Sequence, residues 1–188
     1  MFGLSQAKEM IANKAALGLH SGVAKNEGMA MSTETRSKSG AQVEKVKSRF
    51  GEISVDKEKA LLFPVGVLGM PDMHHFVLTD FPNPKLGQFK LLQSLDDVEL
   101  SFITLPLELD NSIIGKEDIE HAAKDMEIPL ENLAMVLIVS VHRGVADVQL
   151  SVNARAPIFI DTSRMAAAQY VFTSNKYRVQ HFITAPKA

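Results

Sequence analysis

The sequence predicts a mainly β fold, built either as an antiparallel, barrel-like sheet or as two packed sheets, with one short helix and an N-terminal extension. Two observations lead to this fold class. Short apolar segments rich in Val, Ile and Phe recur at close spacing, and these side chains favour the pleated interior of a sheet. Turn residues separate the segments, which do not alternate with helices, and this pattern argues against a doubly wound α/β fold.

The composition is that of a single domain without disulfide or thiol chemistry. Of the 188 residues, 46% are apolar, which is enough for a substantial core, and none is Cys. No apolar run approaches the roughly 20 residues that span a bilayer. The N-terminus also lacks the layout of a secretory signal, so we expect a cytoplasmic protein without membrane contact.

The net charge of −2 hides an asymmetry between two parts of the chain. Residues 1–50 carry eight Lys or Arg and four Asp or Glu, a balance of +4, whereas residues 51–188 carry twelve and eighteen, a balance of −6. An acidic body is a poor ligand for nucleic-acid phosphates, so we expect no direct nucleic-acid binding. The acidity suits either a basic protein partner or ordinary solubility.

Residues 1–48 differ in character from the rest and are predicted to form an extension to a domain over residues 49–188. Residues 21–40 are rich in Gly, Ser, Thr and Lys, as in a flexible tether. Before them, five apolar residues outline a weak helical stripe that Gly18 would end: Leu4, Ala7, Met10, Ile11 and Leu17. The extension is therefore a flexible tether, an additional docking helix, or a segment included only because the start of translation was assigned too early.

From Phe50 onward the chain is predicted to form a series of short strands. The Gly- and Pro-rich segment 64–72 is a loop, and the acidic segment 96–99 is a turn. Apolar runs bounded by charged or breaker residues predict the first five strands over residues 50–55, 60–63, 76–78, 89–95 and 100–105.

One helix is predicted over about residues 116–126. Acidic residues near its start complement the helix dipole, and Pro129 prevents its continuation. The apolar residues recur at helical spacing: Ile119, Ala122, Ala123 and Met126.

The C-terminal part of the chain returns to strands. The continuous apolar run 134–141 is typical of a strand covered on both faces. Segment 148–152 alternates, as in a strand with one buried face, and residues 142–144 form the turn before it. Further strands are predicted over residues 158–160, 170–172 and 179–183.

Motifs for catalysis and cofactor binding are absent from the sequence. There is no phosphate loop, no third glycine to complete a dinucleotide fingerprint with Gly66 and Gly69, and no Gly-x-Ser-x-Gly elbow. His121 has carboxylates at metal-binding spacing, Glu117 and Asp125, but these are interpreted as charges of the helix surface. The adjacent His74 and His75 would face opposite sides of a strand, and the other three His residues are isolated. We therefore expect no cofactor, no metal site and no enzymatic activity.

Several short segments carry a recognisable pattern in a fixed order. They are Phe50-Gly51, Phe63-Pro64-Val65-Gly66-Val67-Leu68-Gly69-Met70, Phe76-Val77-Leu78, Leu92-Gln93-Ser94 with the strand from Leu100, and the run from Asn153 to Asp161, followed by Gln169 and Tyr177. In order and spacing, these segments resemble the FliW family of bacterial flagellar assembly factors over about residues 49–184.

The resemblance has departures. Leu68 and Met70 stand where the family has Pro and Phe, so the first loop is free to take a different path. Leu105 stands where the family has an Asp before proline, and Asp161 stands where Asn is usual.

The resemblance implies a regulatory protein that acts through its surface. FliW-like proteins bind CsrA, a small dimeric RNA-binding repressor of translation, and thereby relieve repression of flagellin messenger RNA. They also bind flagellin, which would draw the protein away from CsrA until flagellin is secreted. The family leads us to expect a monomer when the protein is free.

Six polar residues are the candidate partner contacts. Three interrupt otherwise apolar family segments, where they could also satisfy backbone groups at strand ends: Gln93, Ser94 and Asn153. Three are carboxylates of the acidic turn, where they could meet a basic partner or simply face solvent: Asp96, Asp97 and Glu99.

Two other functions compete with this interpretation. A small-molecule-binding β-barrel protein would hold its ligand in the apolar interior, and a large empty apolar pocket would support it. A hydrolase would use Ser163 or Asp161 with a His, and a His within hydrogen-bond reach of either side chain in a cleft would support it.

Overall fold

The computed structural model describes residues 43–144 and 148–184, and within them the protein is mainly β with one short helix, α1, at Lys116–Asp125. This confirms the predicted fold class. The strands are β1 Val43–Ser48, β2 Gly51–Asp56, β3 Leu61–Leu62, β4 His75–Asp80, β5 Lys90–Ser94, β6 Ser101–Leu107, β7 Leu133–Arg143, β8 Val148–Val152, β9 Ile158–Asp161, β10 Ala166–Gln169 and β11 His181–Ile183.

One large sheet closes on itself as a ring. Strands β3 to β7 follow one another in an antiparallel meander. The first half of β7 also pairs with β9, and β10 pairs with β9 and meets β3 in parallel at Ala166 and Leu62. The ring is therefore barrel-like, with a single parallel junction in an otherwise antiparallel sheet.

Strand β7 belongs to the ring only over its first half. From Val139 onward it pairs with β8, which in turn pairs with β11, so these three strands form a ribbon that extends beyond the ring. The strand continues to Arg143, so His142 lies in β7 and not in the turn that the sequence predicted. Its Nε2 atom lies 2.7 Å from the Oγ atom of Ser151.

Ser151 departs from the predicted alternation of β8. The sequence placed it on an exposed face, but the side chain is buried, because the His142 ring of β7 and the cross-strand neighbour Phe182 of β11, whose rings lie 5.5 Å apart, lie beside it on the same face. Its hydrogen bond with His142 satisfies the hydroxyl group.

A separate hairpin of β1 and β2 packs on the ring. Ile53 and Val55 of β2 are buried against Val77 of β4 and Leu91 of β5. Residues 43–48, which the sequence analysis assigned to the extension, form β1 in this hairpin. The predicted stripe and tether over residues 1–42 lie outside the described residues.

Helix α1 packs one face against side chains of the sheet. Its apolar face buries Ile119, Ala122 and Ala123 in a cluster that includes Phe159 of β9. The helix ends one residue before the predicted limit, and the following Glu127 has a positive φ of 57° that turns the chain. No helix among the described residues has the length and apolar character needed to cross a membrane.

The prediction of a strand over residues 170–172 is wrong. The strand is β10, Ala166–Gln169, where three buried alanines fit between β9 and β3. Tyr170 and Phe172 follow it and pack ring against ring at 5.1 Å. Alanine has little intrinsic preference for strands, whereas Tyr and Phe have a high one. Local sequence preference therefore placed the predicted strand at the aromatic residues.

Candidate functional site

The loop over residues 64–72 is held in a defined shape at one end of the ring. Val67 and Met70 exchange two backbone hydrogen bonds, of 3.2 and 2.7 Å, which close a tight turn with Gly69 at φ 83°. The Leu68 amide donates to the side-chain oxygen of Gln169, 2.8 Å away on β10. Because the turn is fixed from both sides, it presents the exposed side chains of Leu68 and Met70, 57% and 36% exposed, in a constant place.

Gln93 and Ser94 lie fully buried beneath the acidic turn that joins β5 to β6. The Gln93 side-chain amide donates to the carbonyl oxygens of Ser94, Val98 and Leu100 at 2.9–3.0 Å. The Ser94 hydroxyl accepts from two backbone amides of the turn, 3.0 and 3.2 Å away. Both side chains therefore shape the turn from within.

Asp96 connects this turn to the start of β4. Its carboxylate accepts from the backbone amides of His74 and His75, at 2.6 and 2.8 Å, and from the His75 ring at 2.9 Å. Burial would raise the pKa of the Asp96 carboxyl, but these hydrogen bonds outweigh it and lower the pKa. The sequence suggested a solvated turn carboxylate; the structure gives Asp96 three partners more than twenty residues away in the chain.

Replacing Asp96 with Ala is expected to lower the free energy of unfolding by about 1–2 kcal/mol, because two backbone donors and the His75 ring lose a charged acceptor. The matched control is Asp97→Ala, whose carboxylate accepts from the Glu99 amide within the turn. We expect the control to cost less than about half as much in urea unfolding. Equal losses for the two variants would contradict the role of Asp96.

Asp97 and Glu99 carry the exposed carboxylates of the turn, and Val98 between them is 49% exposed. Segments 60–84 and 91–115, which contain the loop and the turn, include no Lys or Arg. We call the exposed side chains of Leu68, Met70, Asp97, Val98 and Glu99 the acidic–apolar surface. Met73 joins its two parts, since its sulfur lies 3.9 Å from the Ser94 hydroxyl and its amide bonds to Met70.

Asn153 is not part of this surface. It follows β8, and strands β6 and β7 lie between β8 and β5. The half-buried side chain accepts from the Ala156 amide at 3.1 Å and so shapes the connection to β9. The structure thus brings together five of the six predicted contact residues and leaves Asn153 apart.

Asp161 and Ser163 make a structural cluster at the β9–β10 turn. The buried Asp161 accepts from the Ser163 amide and hydroxyl and from the Arg164 amide, and it forms an ion pair with the Arg164 guanidinium at 2.9 Å. Burial would raise the pKa of Asp161, but the bonds from Ser163 and Arg164 outweigh it and lower the pKa. No histidine of the described residues is among the hydrogen-bond partners of either side chain, so the condition set for a hydrolase is not met there.

An apolar groove lies on the outer side of the ring beside the ribbon. Its volume is about 260 Å³, which lies below the roughly 300–1,000 Å³ of pockets that enclose small molecules. It opens between Phe81 and Leu86 on one side and Val141, Val148 and Leu150 on the other. The groove therefore gives the small-molecule alternative little support.

Within residues 43–144 and 148–184, no three acidic or His side chains are grouped closely enough to hold a metal ion.

Two residues important to this region were not singled out as site candidates from the sequence. Gln169 ties the loop to β10, and His75 binds Asp96. Gln169 had a signal in the sequence, since it matches a family position, but His75 had none. Its role depends on an antiparallel pairing that brings residue 75 beside residue 96.

Comparison with known proteins identifies the family. The sequence model described as FliW protein matches residues 44–183. The chain is 30% identical over 142 residues to the flagellar assembly factor FliW of Oceanobacillus iheyensis, covering 74% of this chain and 92% of that protein. It is 29% identical over 133 residues to flagellar assembly factor FliW 2 of Desulfotalea psychrophila, covering 70% and 85%.

The fold agrees with this assignment. A crystal structure of the flagellar assembly factor FliW superposes with a TM-score of 0.56 at 21% identity, covering 77% of this chain and all of that one. These matches confirm the resemblance drawn from the sequence motifs. The chain belongs to the FliW family, whose members are non-enzymatic flagellar assembly factors.

Proposed function

We propose that this protein is a cytoplasmic partner switch that binds a CsrA-type translational repressor and flagellin. In the CsrA-bound state it relieves repression of flagellin translation, and free flagellin withdraws it from CsrA. Membership of the FliW family supports the proposal, because relatives that match most of the domain are named flagellar assembly factors. The free protein is expected to be a monomer.

The acidic–apolar surface is the part of the molecule that supports binding of a basic partner. Exposed apolar side chains give a contact area that gains from burial, and the carboxylates of Asp97 and Glu99 beside them attract cations. The observation that carries the proposal is that Asp96 fixes the acidic turn to His74 and His75 at the start of β4, and that the loop and the turn lie in segments without Lys or Arg. A pinned surface loses little entropy on binding.

The predicted contact residues take different parts in this proposal. Asp97 and Glu99 contact the basic partner directly. Asp96 holds the turn against β4, and Gln93 and Ser94 support it from below. Asn153 shapes the β8–β9 connection, away from the surface.

The test is calorimetric titration of the full chain with CsrA and with flagellin from the same organism. We expect both to bind, and we expect Asp97→Lys combined with Glu99→Lys to weaken CsrA binding at least tenfold and to reduce its dependence on salt. The matched control is Glu117→Lys with Glu120→Lys, which makes the same charge change at exposed positions of α1. Equal losses for the two double variants would contradict this surface, and a wild-type chain that binds neither protein would contradict the function.

A further inference from the structure

The apolar groove is an exposed hydrophobic surface that the FliW assignment does not explain. Side chains of β6, β7 and β8 line it, including Ile103, Val141, Val148 and Leu150. Val141, near the end of β7, and Val148, at the start of β8, are 45% and 57% exposed. Covering such a surface is favourable by about 25 cal/mol for each Å² removed from water. A groove of this kind is suited to an apolar segment that lies along it.

We propose that residues 4–17 of this same chain dock in the groove and cover it. Leu4, Ala7 and Ile11 stand at positions i, i+3 and i+7, the spacing with which an amphipathic helix places anchors in a hydrophobic groove. Every residue that lines the groove is apolar, which suits such anchors. A partner that uses this face must first displace the segment.

The position of Val43 allows the segment to reach the groove. Val43 begins β1, a strand of six residues and therefore about 20 Å long, and the turn after β1 contains Phe50. The ring of Phe50 lies 5.3 Å from that of Phe81, which lines the groove. The chain thus enters the described domain about one strand length from the groove. The 25 residues from 18 to 42 can reach at most about 80–90 Å when fully extended, which exceeds one strand length several times, so the connection is long enough.

The absence of Cys from the sequence permits a direct test with engineered pairs. In the full chain, Ile11→Cys with Val141→Cys is equilibrated in a glutathione redox buffer, and the intramolecular disulfide is quantified by gel and mass spectrometry. A docked segment holds the two sulfurs within bonding range and raises the equilibrium constant for the disulfide. We expect a value at least tenfold above that of the controls. Adding Leu4→Asp to the pair is expected to lower it several-fold.

Two control pairs separate docking from random encounters of a tethered segment. Glu9→Cys with Val141→Cys tests the opposite side of the predicted stripe, and Ile11→Cys with Val98→Cys tests an exposed valine in the acidic turn. Equal equilibrium constants for all three pairs would overturn the proposal. So would disulfides formed mainly between two molecules, since they would assign the groove to a second copy or to another partner.

Discussion

Replacing Asp161 with Ala is expected to lower the free energy of unfolding by about 3–5 kcal/mol, because the change leaves a guanidinium and three further donors without their acceptor. The Asp161 side chain is 1% exposed, so solvent screens its interactions only weakly. The turn that would be loosened includes Met165, whose φ of 50° is strained and whose carbonyl oxygen accepts from the Leu62 amide. Urea unfolding of both proteins at pH 7 measures the difference.

Asp161→Asn is the matched control, since it keeps the size of the side chain and removes its charge. Its side-chain oxygen can keep the bonds from Ser163 and from the Arg164 amide, while the ion pair with the Arg164 guanidinium is lost. We expect a loss of about 1–2 kcal/mol, clearly smaller than that of the alanine variant. If the two variants lost the same amount, the hydrogen bonds to the turn would not be the source of the stability.

The pH dependence of the Asp161→Ala effect follows from the lowered pKa of Asp161. Since the folded state holds the carboxylate ionised, its contribution is fully present above the unfolded pKa of about 3.9 and is lost as the pH falls through the folded value. The gap between wild type and Asp161→Ala should therefore stay constant from about pH 5 to 8 and shrink below about pH 4. A gap that widened in acid would contradict the assignment.

The strands predicted well from the sequence are those whose residue types decide their structure locally. Strands β4 and β7 contain runs of Val, Leu, Ile and Phe, and β5 contains two adjacent leucines. The bounds of these strands differ from the predictions by a few residues. Strand β10 is different, because its alanines are suited to a strand only through the neighbours on both sides. The closure of the ring by β9 against β7 was likewise not predictable, because it joins segments about 25 residues apart without a turn motif.

The candidate site could be located from the sequence, but the roles of its residues could not be separated. Three carboxylates within four positions look alike in the sequence, yet Asp96 is a structural acceptor and Asp97 and Glu99 face solvent. The difference comes from His74 and His75, which the pairing of β4 with β5 brings beside Asp96. For Gln93, the sequence left open a partner contact or a backbone bond, and the side chain makes three backbone bonds.

Gly66→Ala is expected to destabilise the protein by about 3 kcal/mol and to weaken partner binding at least tenfold. Gly66 has a φ of 68°, and an added Cβ atom would lie 2.3 Å from the Met70 carbonyl oxygen and 2.7 Å from that of Pro71, so the backbone of the loop must move. That movement displaces Leu68 and Met70, two members of the acidic–apolar surface. Gly69→Ala is the control, because its φ of 83° carries a similar backbone cost of about 1–2 kcal/mol while its Cβ would meet no atom within 4 Å. Urea unfolding and calorimetric titration with CsrA measure both effects, and equal losses of stability and affinity for the two variants would show that crowding at Gly66 does not set the shape of the loop.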